Sequence, residues 1–230
     1  MGRSPGDKSD VPLALRVLRF FDPARPGFIR RMLKLGFLGF LISGCVLSLV
    51  AVRLAQTNPG KLTIAIALNM TGQYDAAERI TRELIAEDPG GNITYYEELA
   101  RSLRHKGEIE AQLAVLDTAV EVLPSNWVGH SQRCWYYALY HRPGEAMHSC
   151  DLAIEYAPDS GFAHARRGVA RALLGDREGA IEDIEDGLHM WAVSPTGYVP
   201  PQPWETWLEQ LKAGQDPFDE ETLQVERDRF

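Results

Sequence analysis

The sequence predicts an all-α protein: a solenoid of about four stacked helical hairpins, preceded by one transmembrane helix. Three observations predict it. Prolines at 89, 124 and 158, alanines at 77, 111, 146 and 180, and glycines at 72, 107 and 175 recur every 34 or 35 residues. His141 fills the missing glycine slot, with Gly144 close by. The three ladders keep nearly constant offsets, as an array of repeats requires. Finally, Leu35 to Val52 is a run of eighteen residues without a charge.

In chain order, residues 1–31 form a basic head, 32–54 the membrane helix, 55–193 the repeat domain, and 194–230 a loop, a capping helix and an acidic tail. Residues 1–34 carry eight Lys/Arg against three Asp, an excess of five positive charges. The whole chain has net charge −8, so the rest carries thirteen negative charges. An acidic body argues against nucleic-acid binding, and a basic head suits an anionic membrane face. At 45% hydrophobic and 24% charged, the chain can build a packed core.

Lys34 and Arg53 bracket the apolar run, and an eighteen-residue helix rises about 27 Å, near the thickness of a bilayer's hydrocarbon core. Gly36, Gly39 and Gly44 suit close packing on another membrane helix. Arg25, Arg30, Arg31 and Lys34 crowd its N-terminal side, while only Arg53 and Lys61 lie near the other. The positive-inside rule then keeps the N-terminus cytoplasmic. In a bacterium this is a single-pass inner-membrane protein with a periplasmic repeat domain. A cleaved signal peptide fits poorly, because the charged stretch is long and no A-x-A site follows. Ile42-Ser43-Gly44-Cys45 resembles a lipobox, sharper if translation starts at Met32. The apolar residues after Cys45 are unlike a lipoprotein's polar tether. Ahead of the run, Leu13, Leu15, Val17, Leu18, Phe20 and Phe21 mix with Arg16 and Arg19. That stretch reads equally as an interfacial amphipathic element or a partly ordered tail.

Within each hairpin, a glycine ends the first helix by taking left-handed backbone, an early alanine in the second permits close approach, and a proline marks its end. Gly90-Gly91-Asn92, Ser125-Asn126 and Asp159-Ser160 suit the cap of the next helix. This arrangement resembles the tetratricopeptide repeat (TPR). It is carried by Met70 to Ala77 with Pro89; Tyr96, Leu99, Gly107, Ala119 and Pro124; Ala146, Ala153 and Pro158; and Gly168, Gly175, Asp176 and Ala180. Four units result, near 58–91, 92–126, 127–160 and 161–193, with departures. Unit one has Lys61 for the early aromatic. Unit two has Gln112 for the small alanine, with Ala111 one place off. Unit four ends in Ala192 rather than proline.

The resemblance implies a right-handed superhelix whose first helices line a concave, protein-binding face. Asn69, Arg101, Arg104, His105, Trp135, Leu139, Val169 and Leu173 map there, polar and basic early, apolar late. The family also has a form that clamps a chaperone's C-terminal carboxylate with lysines and asparagines. The matching places read Leu62, Ile66, Glu98, Val128 and Gln132, so that clamp is absent. Cys134 and Cys150 fall on the facing helices of unit three, where the family packs side chains together. In an oxidising compartment they are a candidate disulfide. Helix axes usually stand roughly 8–10 Å apart, which favours two buried thiols instead.

Beyond the loop Ser194–Pro201, Trp204, Trp207, Leu208 and Leu211 recur at helical spacing, with Pro203 at a first turn and Gly214 at a stop. They mark a capping helix over 203–213, placed to fold back over Leu139, Val169 and Leu173. The last fifteen residues suit a second short helix.

No P-loop, GxGxxG, GxSxG or HExxH occurs. His141 and His148 flank Glu145, but Arg142-Pro143-Gly144 is a turn that separates them, and they read as surface histidines. His105, His130, His164 and His189 look scattered, and Glu182 to Asp186 looks like a solvated helix face. The expectation is therefore a non-enzymatic protein without cofactor, metal or small-molecule substrate, serving as a membrane-anchored adaptor or assembly factor. The alternative is a permanent accessory subunit of a respiratory or photosynthetic membrane complex.

Overall fold

A computed structural model describes residues 56–194 and 203–229. The basic head, the apolar run with Cys45, residues 195–202 and residue 230 lie outside the described residues. Among the described residues there are ten helices and no strand, and no helix is long and apolar enough to cross a membrane. Four hairpins follow one another: α1 (Asn58–Met70) with α2 (Tyr74–Glu87), α3 (Ile93–His105) with α4 (Ile109–Val122), α5 (Trp127–Leu139) with α6 (Pro143–Tyr156), and α7 (Gly161–Leu173) with α8 (Arg177–Val193). Two short helices, α9 (Trp204–Lys212) and α10 (Glu220–Asp228), complete the fold. Each second helix packs on the next first helix, and successive first helices adjoin one another along one side.

The ladders have physical causes. Gly72, Gly107 and Gly175 close the hairpins with φ of 77°, 74° and 84°, backbone that a Cβ disfavours. His141 takes the same slot with φ 58°, a tolerable but unusual choice for a residue with a side chain. Helices α2, α4 and α6 end on Asp88, Leu123 and Ala157, each turned out of helical backbone by the proline that follows. Without such a proline, α8 runs 17 residues against 14 for each of those three. Its added turn carries Trp191. Asn92, Asn126 and Ser160 cap α3, α5 and α7 through their side chains.

The fourth residue of each first helix makes a tie, in α3, α5 and α7 to the turn before it. Tyr96, His130 and His164 bond the carbonyl oxygens of Pro89, Pro124 and Pro158 at 2.9, 2.9 and 3.0 Å. Lys61, first in the series, pairs with Glu87 at 2.6 Å. His130 and His164 are therefore not scattered; they are repeat residues, both buried.

Ala77, Ala146 and Ala180 are fully buried at the helix crossings, and Gln112, not Ala111, takes their place in unit two. Its Oε1 accepts from the Tyr140 hydroxyl at 2.9 Å. Between α7 and α8 the approach is closer still. A Cβ on Gly168 would lie 2.8 Å from Ile184 Cγ1 and 3.0 Å from the Ala180 carbonyl oxygen.

The acidic run on α8 is not one solvated face. Asp183 is 1% exposed and receives Arg167 at 2.7 Å and Arg171 at 3.0 Å, while Ile184 lies in the core. Glu182, Glu185 and Asp186 remain exposed. Arg133–Asp117 at 2.7 Å and Arg167–Asp151 at 3.0 Å repeat one ion pair in successive units.

Cys134 and Cys150 are joined by a disulfide between α5 and α6, where the sequence favoured free thiols. Their Cα atoms stand 5.0 Å apart, because the neighbouring small residues Ala138 and Ala146 let these two helices close at that crossing.

Two outcomes follow from this packing. Gly168→Val should cost about 1–3 kcal/mol by overpacking the α7–α8 crossing, read as a lowered urea midpoint; an unchanged midpoint would contradict the close approach. Denatured, unreduced full-length protein should titrate as one free thiol, Cys45, and reduction should lower stability by about 3 kcal/mol. Three free thiols would remove the disulfide.

Candidate functional site: a groove partly filled by the C-terminal tail

The first helices line the face on which the eight groove residues were placed. The described structure divides them into three groups. Asn69 is buried between α1 and α3; its Nδ2 donates to Glu98 Oε2 at 2.8 Å and its Oδ1 accepts from Ser102 Oγ at 2.8 Å. It is a pin between two units rather than a groove residue.

Trp135, Leu139 and Val169 lie in one core cluster with Trp204, Trp207, Leu208, Leu211, Phe218 and Leu223, and Leu173 packs against it. Helices α9 and α10 supply the tail's share, with Phe218 in the turn between them. Trp204 stands 6.0 Å from Trp135, 5.7 Å from Trp191 and 5.0 Å from Trp207, ring centre to ring centre. Trp207 meets Phe218 edge-on at 5.2 Å. Such tilted and edge-to-face pairs add to the burial of large apolar area. The late groove is thus occupied by the chain itself, and the added turn of α8 contributes Trp191 to the junction.

The third group lies at the early end. Arg104, 8% exposed, donates from Nη1 to the main-chain oxygen of Arg227 at 2.5 Å. Arg227 answers in the other direction: its Nη1 donates to the carbonyl oxygen of Leu139, the last residue of α5, at 2.7 Å. A cation at a helix C-terminus meets both an unpaired carbonyl and the negative end of the helix dipole. Arg227 also pairs with Glu220 and lies 5.8 Å from the Tyr140 ring centre. His141, in its left-handed slot, reaches Glu220 Oε2 at 2.6 Å. The hydrogen bonds from His141 and then from Arg227 hold the Glu220 carboxyl below its ordinary value.

His105 stacks on Tyr74, ring centres 4.6 Å apart. Lost solvation, then the charges of Arg104 and Arg101, lower its pKa below the ordinary imidazole value. Arg101 makes only a loose pair with Glu98 at 3.6 Å and keeps 41% of its side chain exposed. Of the two arginines among the eight, it is the more open to a partner.

Sequence reasoning missed Tyr140, His141, Glu220 and Arg227. The signal was available at one of them: a histidine in a slot that glycine fills in the three other units. The turn does keep His141 and His148 apart, one between helices and one on α6, both exposed. Among the described residues no group of three or more His, Cys, Asp or Glu could hold a metal ion.

No protein-family profile matches the chain. Hsc70-interacting protein 1 and Hsc70-interacting protein 2, both from Drosophila melanogaster, are each 25% identical over 128 residues, 56% of this chain. The chain spans 32% of the length of those relatives. MamA from Desulfovibrio magneticus RS-1 superposes with TM-score 0.56 at 14% identity, covering 75% of this chain and 91% of that one. The thermophilic TPR protein TTC0263 from Thermus thermophilus superposes with TM-score 0.53 at 20% identity, covering 75% and 98%. Likeness at these identities speaks for the fold, and the fold is a tetratricopeptide-type array of helical hairpins.

Proposed function

We propose that this chain is a non-enzymatic protein–protein interaction scaffold, held at a membrane by residues 35–52, and that its partner is taken at the early end of the concave face. The observation that carries this reading is the unequal filling of that face: the tail covers Trp135, Leu139 and Val169, while Arg101 on α3 stays half open beside Arg104 and His105. Arginine is the residue that most often anchors a protein interface through paired hydrogen bonds to a carboxylate.

The uncharged run between Lys34 and Arg53 supports the anchor, and the excess of positive charge ahead of it supports a cytoplasmic N-terminus. The Cys134–Cys150 disulfide supports placing the repeats on the oxidising side of that membrane, which in a bacterium is the periplasm. The Drosophila relatives are named for Hsc70. We do not carry that partner over, because Leu62, Ile66, Glu98, Val128 and Gln132 stand where a carboxylate clamp needs lysines and asparagines.

One observation favours the second reading, a permanent accessory subunit of a multi-subunit membrane complex. A groove filled by the chain's own tail leaves the membrane helix and the outer surface as the larger contacts. Affinity capture in mild detergent separates the two. The full-length chain and a chain of residues 55–230 should recover the same protein, and Arg101→Glu should reduce recovery about tenfold, which corresponds to about 1.4 kcal/mol. A stoichiometric set recovered only with the membrane segment, and indifferent to Arg101, would make the chain a subunit instead.

A further inference from the structure

The two tail helices are held by different chemistry. Helix α9 buries Trp204, Trp207, Leu208 and Leu211. Helix α10 buries one apolar side chain, Leu223, and leaves Val225 52% exposed. What holds α10 is polar: Arg227 on the Leu139 carbonyl, Arg104 on the Arg227 carbonyl, and His141 on Glu220. A helix of nine residues is too short to persist without its contacts.

The surface beneath α10 is also incompletely satisfied. Among the described residues four buried side-chain nitrogens have no hydrogen-bond partner: Arg104 Nε, Gln112 Nε2, His164 Nδ1 and Trp204 Nε1. One of the four lies at this contact and a second is one side chain removed from it. Arg104 meets α10 directly, and Gln112 is bonded to Tyr140, which lies against Arg227. Between α10 and the α3–α4 turn a cleft of about 360 Å³ remains, lined by Arg104, Gly107, Ile109 and Tyr140 on one side and by Glu220 and Asp228 on the other. To Arg104, α10 offers a single main-chain oxygen. A carboxylate would offer two, matching the paired edge of a guanidinium that Nε and an Nη present.

We propose that α10 is a displaceable occupant, and that the surface it covers is a docking site for an acidic amphipathic helix of the partner protein, one of whose carboxylates pairs with Arg104. This rests on reading the concave face as the partner-binding face. Helix α9 stays in place during the exchange and keeps the last hairpin covered. In the closed state α10 competes for its own site, so the partner's apparent affinity is reduced by the fraction of molecules that are open.

The test uses the full-length chain and a fluorescein-labelled peptide of residues 216–230 as the acidic helical probe, read by fluorescence anisotropy. Arg227→Ala removes the clamp on Leu139. Glu220→Gln, on an exposed residue, weakens the latch without disturbing the core. Both should bind the peptide more tightly than the unaltered chain, Arg227→Ala by about tenfold or more if α10 is closed in about nine molecules of ten. Adding Arg104→Gln should abolish the gain, and so should a peptide with Gln and Asn in place of every Glu and Asp. Equal affinity in the unaltered chain and both variants would overturn the proposal. Concentration-dependent dimerisation of Arg227→Ala would make a second copy the occupant and overturn the assignment to a partner. A partner captured equally by the unaltered chain and by Arg104→Gln would leave the interaction scaffold standing and remove this docking site.

Discussion

A helical hairpin buries its apolar face against the next hairpin, and the last hairpin of a stack has no next one. That constraint organises the C-terminal half of this protein. The terminal hairpin, α7 and α8, presents Val169, Ile184 and Trp191, and the chain continues past it until α9 has covered them. The cover is built from large rings, Trp204 on Trp135 and Trp191 with Trp207 edge-on to Trp204, because a nine-residue helix has few positions in which to bury enough area. The missing proline at the end of α8 belongs to the same solution, since it permits the turn that carries Trp191 into the junction.

Once α9 is docked, the chain reaches the concave face and the second tail helix lies over the C-terminal end of α5. There the chemistry changes from apolar to polar. Arg104, Tyr140 and His141 come from two different hairpins, yet all converge on α10. The protein thus spends the apolar part of its groove on its own stability and leaves the charged part under a lighter hold. On this side of the array polar groups pair with one another across units, Asn69 with Glu98 and Ser102, and Arg104 with the tail.

The hairpins were legible because their causes are local. A glycine with positive φ, a proline that stops a helix and an alanine at a crossing each act within a few residues, so the period survives in the sequence even where one unit departs from it. Gln112 and His141 looked like defects in that pattern. Both are tertiary contacts, to Tyr140 and Glu220, and no local rule announces them. Asn69 and Arg104 were placed in the groove by register alone. Register gives the face of a helix but not what else has come to lie on it, and here Glu98 and the tail had. His130 and His164 were legible from their spacing of 34 and were overlooked because histidine is not the family's usual residue at that place. Average helix separations argue against the disulfide, and the small residues at that crossing bring the two Cα atoms to 5.0 Å.

The central claim is that the C-terminal tail lies in the late groove of its own repeats. Hydrogen exchange of the full-length chain, followed by mass spectrometry, tests it most directly, because an undocked nine-residue helix has no means of protecting its amides. The account predicts that the amides of Trp204–Lys212 exchange nearly as slowly as those of α8, with those of Glu220–Asp228 intermediate. Exchange of both segments at the rate of an unstructured peptide, with α5 and α7 still protected, would contradict it.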